Sequence, residues 1–190
     1  MPTAEVCGAC LTSPPAFTRT IAALRYTFPV DALIHSLKYQ ANLAIAPILA
    51  NLLLQQLETP KSMPDVILPM PLHPIRLRER GFNQAMEISR YVSKQLGITL
   101  LPDSCSRIKH TPPQTGLPWK DRQKNIRKAF SCKMNLSGKH VALVDDVMTT
   151  GATLNELAKV LRKQGACEIS NWVIARTLPE IHQTSSHTQQ

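Results

Sequence analysis

The stretch VALVDDVMTTGAT, residues 141–153, constrains the fold most. Four apolar residues lead into two adjacent carboxylates, and a turn with three threonines, a glycine and an alanine follows. A continuous apolar run bounded by turn residues reads as a strand covered on both faces, here expected over 139–145. The pattern after it is helical over 153–163, with Leu154, Leu157, Val160 and Leu161 on one side and Gly165 past the end. Strand, turn and helix in this order belong to an α/β fold with a largely parallel sheet. In such sheets ligands bind beyond the carboxyl ends of strands, where the connections diverge. Asp145 and Asp146 are expected to leave the strand at that end.

The rest of the chain alternates in the same way. Helical spacing runs over 27–58 with a short break at 40–42, and again over 83–96, where Ala85, Ile88, Val92 and Leu96 share a face and Gly97 follows as C-cap. Short strands are expected at 65–68, 98–101 and 104–108, and a last one at 168–175. Residues 110–128 hold three prolines, one glycine and a cluster of charge, with little apolar periodicity. A long loop inside a compact domain is usually functional or mobile. The tail over 180–190 is polar and reads as disordered.

Several function classes drop out on composition. No apolar run is long enough to span a bilayer, and the longest, residues 43–57, is interrupted by Pro47, Asn51, Gln55 and Gln56. The first ten residues have neither the basic start nor the apolar centre of a secretory signal, so no membrane insertion is expected and the default location is cytoplasmic. Five cysteines, an odd number and mostly scattered, make no disulfide framework. The net charge is +9, and all of the excess lies in one block: residues 73–133 contain 13 Lys and Arg against 4 Asp and Glu. Such a block implies an anionic partner, the phosphates of a small molecule or of nucleic acid, when it is more than a solvated basic surface.

The opening stretch indicates which anion. Gly151 permits a tight turn, and the N–H groups of Met148, Thr149, Thr150, Gly151, Ala152 and Thr153 can converge at a helix N-terminus, where hydroxyls add further donors. That half holds a phosphate. The carboxylates of Asp145 and Asp146 accept hydrogen bonds from vicinal hydroxyls and attract a divalent metal. The ligand that wants both is a sugar phosphate with a free diol. The competing phosphate loops, G-x-x-x-x-G-K-[ST] and G-x-G-x-x-G, are absent from the chain.

The DD-x-x-T-T-G-A-T pattern closely resembles the PRPP-binding signature of type I phosphoribosyltransferases. LPMPLHPIRLRERGFNQA, residues 68–85, looks like the hallmark of the ComF/GntX family of phosphoribosyltransferase-like proteins, whose RGFNQ element matches residues 80–84 letter for letter. QTGLPWKDRQKNIRKAF, residues 114–130, resembles a second family element through Gln114, Leu117, Arg122, Asn125, Ala129 and Phe130. HSLKYQ, residues 35–40, is similar to the family's helix before the core. The resemblance covers roughly residues 7–178 and implies a type I phosphoribosyltransferase-like fold: a mostly parallel sheet flanked by helices, with a mobile hood or loop segment at 107–127. It divides the chain into a zinc-ribbon-like remnant (1–15), a helical lead-in (16–62), a phosphoribosyltransferase-like core (63–178) and a disordered tail (179–190).

The same resemblance distributes roles. The loop after the first core strand, with Met70 and Pro71, is expected at the pyrophosphate of PRPP, joined by Arg76 and Arg80 and, from the mobile segment, by Arg107, Lys109 and Arg122. Arginine forks suit phosphate oxygens. A basic helix start, or ion pairs with Glu79 and Glu87, is the plainer account of Arg76, Arg78 and Arg80. Asn83 also fits a helix N-cap, and Phe82 the core. Magnesium (Mg2+) is expected to arrive with the substrate at Asp145 and Asp146. The implied reaction displaces pyrophosphate at the anomeric carbon through an oxocarbenium-like transition state, with Asp145 or Asp146 near the ribose.

The front end and the activity stay open at this point. Cys7 and Cys10 form half of a tetrahedral zinc (Zn2+) site, of which the family often carries the other half upstream. Either the start lies too late, or the ribbon is lost, or a second chain completes it. The family's link to competence makes a non-catalytic role in DNA uptake, binding single-stranded DNA or a partner protein, the alternative to a transferase. A PRPP-sensing regulator is a third reading. The basic block suits single strands, but aromatic residues are only 5% of the chain, few for a stacking platform.

Overall fold

A computed structural model describes residues 8–57, 63–109 and 126–177. The chain runs α1 (Gly8–Thr12), β1 (Arg19–Arg25), α2 (Val30–Tyr39), α3 (Ile45–Gln56), β2 (Val66–Pro69), α4 (Pro74–Arg80), α5 (Gln84–Leu96), β3 (Thr99–Leu100), β4 (Cys105–Arg107), β5 (Phe130–Cys132), β6 (His140–Met148), α6 (Ala152–Lys163) and β7 (Glu168–Arg176). Five strands form one sheet in the order β1-β7-β6-β2-β3, every pair parallel. β4 and β5 form a separate antiparallel pair.

The sheet is covered on both faces, which is why its central strands read as unbroken apolar runs. On one face α2, α3 and α5 pack against Ile67, Ala142, Val144, Trp172 and Ile174. On the other, α6 and the β4–β5 pair cover Leu68, Val141, Leu143, Ile169 and Val173. Each helix presents the stripe its sequence announced: Ile88 and Val92 on α5, Leu154, Leu157 and Leu161 on α6.

The segment expected to be a helical lead-in contains a strand. β1 pairs with β7 along its length, and α2 and α3 share a core with the sheet. β1 carries no alternation that would reveal it, since its residues are half-buried nearly throughout. The strands expected at 65–68, 98–101, 104–108 and 168–175 are present within a residue or two. The tail at 179–190 lies outside the described residues.

Topology fixes the place of the site. After β2 the chain leaves through α4 and α5 to β3 at one edge; after β6 it leaves through α6 to β7 on the other side. The two connections diverge between neighbouring parallel strands, and a crevice opens at their carboxyl ends. Asn83 ties the first of these loops down. Its side chain accepts from Ala85 N at 3.0 Å as the α5 N-cap and donates to the Met70 carbonyl at 3.0 Å.

Candidate functional site

The acidic pair does not leave the strand as expected. β6 continues through Asp145 and Asp146 to Met148, with Asp145 opposite Val173 and Val147 opposite Ala175. Pairing with β7 holds the backbone extended, so both carboxylates end up buried, Asp145 9% and Asp146 3% exposed. Side chains alternate along a strand, and the two carboxylates have different surroundings. The strand also orders the pair internally: Asp146 N donates to Asp145 Oδ1 at 2.9 Å.

Asp146 gathers three elements. Lys38 of α2 forms an ion pair with its Oδ2, and Gln84 of α5 donates from Nε2 to Oδ1 at 3.2 Å. Gln84 in turn accepts from Arg80 Nη1, and the Arg80 guanidinium lies over the Tyr39 ring, 5.5 Å from its centroid. Tyr39 meets His35 one turn back, at 4.7 Å between ring centres. HSLKYQ, RGFNQ and the acidic strand end are far apart in sequence and converge on one carboxylate.

Burial by itself would raise Asp146, but the Lys38 ammonium and the Gln84 amide hold it below the usual carboxylate range. Burial would lower Lys38, and Asp146 reverses that, so Lys38 stays above its ordinary value and charged. Asp145 goes the other way. Burial first, and then the negative charge of Asp146, push it well above the carboxylate range, so Asp145 is the member of the pair that takes up a proton first. Arg107 of β4 lies within the field of Asp145, which opposes the lowering that burial imposes on that arginine. Its guanidinium sits 5.7 Å from the Phe130 ring centre.

The turn after β6 is tight and depends on glycine. Gly151 adopts φ +75°, a conformation a side chain disfavours, and a Cβ there would meet Met148 Cε at 2.6 Å. Thr150 Oγ1 accepts from Ala152 N at 3.3 Å, and α6 begins at Ala152, one residue earlier than its periodicity suggested. Thr149 is exposed, Thr150, Ala152 and Thr153 are half-buried, and Met148 and Gly151 are buried. The loop therefore stands at the N-terminus of a three-turn helix, beside Asp145 and Asp146.

The residues expected at pyrophosphate fall into two groups. Arg76 and Arg80 line a cavity of about 230 Å³ with Lys38, Tyr39, Ala41 and Glu79. Pro71 and Arg107 line another of about 600 Å³, running past Phe82, Asn83 and Cys105. Arg76 pairs with Glu79 at 2.9 Å, as the plainer account of that arginine has it. Met70 is buried, with its N–H on the Val144 carbonyl at 2.8 Å. Lys109 is exposed at the end of the described segment. Arg122, Gln114, Leu117, Asn125 and Cys7 lie outside the described residues, and Cys10 is half-buried in α1. Among the described residues no three His, Cys, Asp or Glu side chains come together as a metal site. Two carboxylates, one already ion-paired, suit a cation that brings its remaining oxygen ligands with a phosphorylated substrate, as magnesium does.

The profile of the phosphoribosyl transferase domain matches residues 38–180, a range that takes in Lys38, the loop after β2, the acidic pair and the threonine turn. The chain belongs to the phosphoribosyl transferase domain family. Competence protein F of Haemophilus influenzae is 40% identical over 181 residues, covering 91% of this chain and 79% of that protein. DNA utilization protein YhgH of Salmonella typhimurium is 36% identical over 177 residues, covering 90% of this chain and 78% of its own. Among solved structures, the purine phosphoribosyltransferase of Pyrococcus horikoshii Ot3 aligns with 83% of this chain and 77% of that one, at 22% identity and a TM-score of 0.39. The expected kinship with the ComF group holds, and so does the expected phosphoribosyltransferase-like fold of a mostly parallel sheet flanked by helices; most of the loop segment expected at 107–127 lies outside the described residues.

Sequence reasoning gave Lys38 and Gln84 no role, although both lie in quoted motifs. A signal was present for Lys38. It follows Ile34 by four residues, one helical turn, so it borders the apolar stripe of α2. A cation on a buried stripe requires an acidic partner.

Proposed function

We propose that this phosphoribosyl transferase domain binds PRPP with magnesium and transfers its phosphoribosyl group to an acceptor with release of pyrophosphate. One observation carries the reading: the buried Asp145–Asp146 pair stands beside a glycine-dependent threonine turn at the N-terminus of α6. The turn, Met148 to Thr153, takes the terminal phosphate. Asp145, whose carboxyl is not ion-paired to Lys38, takes the ribose hydroxyls, with Asp146 behind it. Met70, Pro71, Arg76, Arg80 and Arg107 surround the pyrophosphate, with Lys109 and Arg122 joining from the segment that begins at the end of β4. Magnesium, held by Asp145 and the substrate's own oxygens, would neutralise charge on the leaving group. The protein's share is positioning and charge: arginines on the departing oxygens and a carboxylate facing the cationic sugar. Incubation with PRPP, magnesium and a panel of nucleobases, followed by pyrophosphate detection, tests the reading. Release that disappears in Asp145→Asn supports transfer; binding without release reduces the protein to a PRPP sensor or adaptor.

A second reading rests on a different surface. Arg127, Lys128, Lys159 and Lys163 line a groove of about 640 Å³ along α6 and β5, with Glu156 as its acidic member. The matched relatives carry the names competence protein and DNA utilization protein. A single strand of DNA would lay its phosphates along these cations. Binding of labelled oligonucleotides that weakens with added salt and with Lys159→Glu and Lys163→Glu, but not with Asp145→Asn, favours it. Binding insensitive to both charge reversals rejects it.

A further inference from the structure

Two cysteines that the functional reading leaves unused face each other across β4 and β5. Cys105 and Cys132 are register partners in this antiparallel pair, and both are free thiols buried in the core beneath it. The hydrogen bonds on either side fix what kind of pair they form. Lys133 N donates to the Ser104 carbonyl at 3.4 Å, and Ile108 N donates to the Ala129 carbonyl at 2.8 Å. Bonded and non-bonded pairs alternate along an antiparallel ladder, so Cys105–Cys132 is a non-bonded pair. In such pairs the Cα atoms stand about 4.5 Å apart and the side chains come closest. A disulfide spans Cα atoms about 4.4–6.8 Å apart. The ladder therefore brings the two thiols within a disulfide's reach without moving either strand. Burial first, and then the neighbouring Cys132 thiol, push Cys105 above the ordinary thiol range. Cys105 also lines the cavity of about 600 Å³ beside α5, which gives a small oxidant a way in.

We propose that Cys105 and Cys132 form a covalent modification site, a thiol pair that hydrogen peroxide converts to a cross-strand disulfide. One sulfur attacks the peroxide and breaks its O–O bond, giving a sulfenic acid and water. The second sulfur attacks the sulfenic sulfur, and its proton leaves with the hydroxyl as a second water. Two thiols and one peroxide thus become one disulfide and two waters. The thiolate is the nucleophile, so the protonated Cys105 makes the first step slow, and the pair answers to sustained oxidant rather than to traces. The new bond closes residues 105–132 into a ring, with Arg107 and Phe130 as its next register pair. Such a ring restricts the unfolded chain, so the oxidised protein is the more stable form. None of this depends on the phosphoribosyl reading.

Peptide mapping of the full chain after exposure to hydrogen peroxide tests the site. Remaining thiols are alkylated in denaturant, and the digest is weighed without reduction. The expected product joins the Cys105 peptide to the Cys132 peptide, is lighter than their sum by two hydrogens, and separates with dithiothreitol. The exposed Cys167 reports that the oxidant has acted. Recovery of Cys105 and Cys132 as alkylated thiols once Cys167 is oxidised overturns the proposal, and so does either one joined to another cysteine. The map uses the natural sequence and needs no variant to fold. The cross-linked protein is expected to melt about 5 °C above the reduced one. Cys132→Ala, or Cys105→Ala where the first variant does not fold, is expected to show no such rise under peroxide. An equal rise in that variant overturns the stabilisation assigned to the ring.

Discussion

Gln84 shows how tightly single side chains are coupled at the acidic pair. It accepts from Arg80 and donates to Asp146, so an apolar replacement strands a guanidinium and a buried carboxylate together. Gln84→Leu is expected to cost about 1–3 kcal/mol in urea denaturation, the range for buried polar groups left unpaired, while Gln84→Glu puts a second negative charge against Asp146 and costs more. Gly151 works through the backbone. Its φ of +75° disfavours any side chain, and the Met148 methyl it would meet is the mobile end of a flexible group. Gly151→Ala should therefore cost about 1 kcal/mol in stability, mostly from conformation, and should weaken phosphate binding more than it weakens the fold. Equal affinity of wild type and Gly151→Ala for inorganic phosphate would refute the role given to this turn. At this scale the acidic pair and the threonine turn were legible because their chemistry is local in sequence. Lys38 was not, because its partner lies far along the chain and no local pattern names it.

Elements differ in how much of themselves they announce. β6, α5 and α6 carry strong periodicity or unbroken apolar runs, and their sequence reading holds within a few residues. β1 is an edge strand, half-buried nearly throughout, and β5 has three residues; both exist through the partners that β7 and β4 supply. The boundary error at β6 had a similar origin. Two carboxylates look like the end of a strand, but pairing with β7 carries them inside. Arg162 of α6 links elements that sequence left unconnected. Its guanidinium donates to the Ala16 carbonyl at 3.0 Å, to Thr18 Oγ1 at 3.2 Å, and to the carbonyls of Ala166 and Cys167. Arg162→Ala should lose about 2–3 kcal/mol of stability, and Arg162→Lys should recover little, since a point charge cannot reach all four acceptors. At the start of β6, burial lowers His140 below the ordinary histidine value, with Glu168 and Asp65 opposing and Arg19 adding to the shift. Its Nε2 lies 2.8 Å from Ser170 Oγ. The unfolded chain takes the proton first, so this contribution is complete above the ordinary value of about 6.5 and is lost as pH falls through that value toward the depressed one. Urea midpoints should fall between about pH 7 and pH 5, and His140→Gln should flatten part of that fall.

The whole molecule separates a neutral scaffold from a cationic working region. The net +9 lies within residues 73–133, which run in sequence from the loop after β2 to just past β5. Part of this charge is answered locally: Glu79 takes Arg76, and Glu87 takes Arg90 at 2.9 Å. Among the described cations Arg107 lies in the field of Asp145, and Arg127 and Lys128 line the groove along α6, so affinity for any phosphorylated ligand should fall with added salt. The fold class was legible at this scale because strands alternate with helices along the chain. The pairing of β1 was not, since parallel partners are chosen by three-dimensional packing that no short window contains. In the proposed function, a buried carboxylate pair and a threonine turn grip the two ends of one phosphoribosyl ligand. Calorimetric titration of the folded protein with PRPP in millimolar magnesium tests it most directly. Saturable binding is expected that requires magnesium, is lost in Asp145→Asn and is not reproduced by ribose 5-phosphate or pyrophosphate alone. Folded protein that takes up no PRPP, or an Asp145→Asn variant that binds it as wild type does, would contradict the claim.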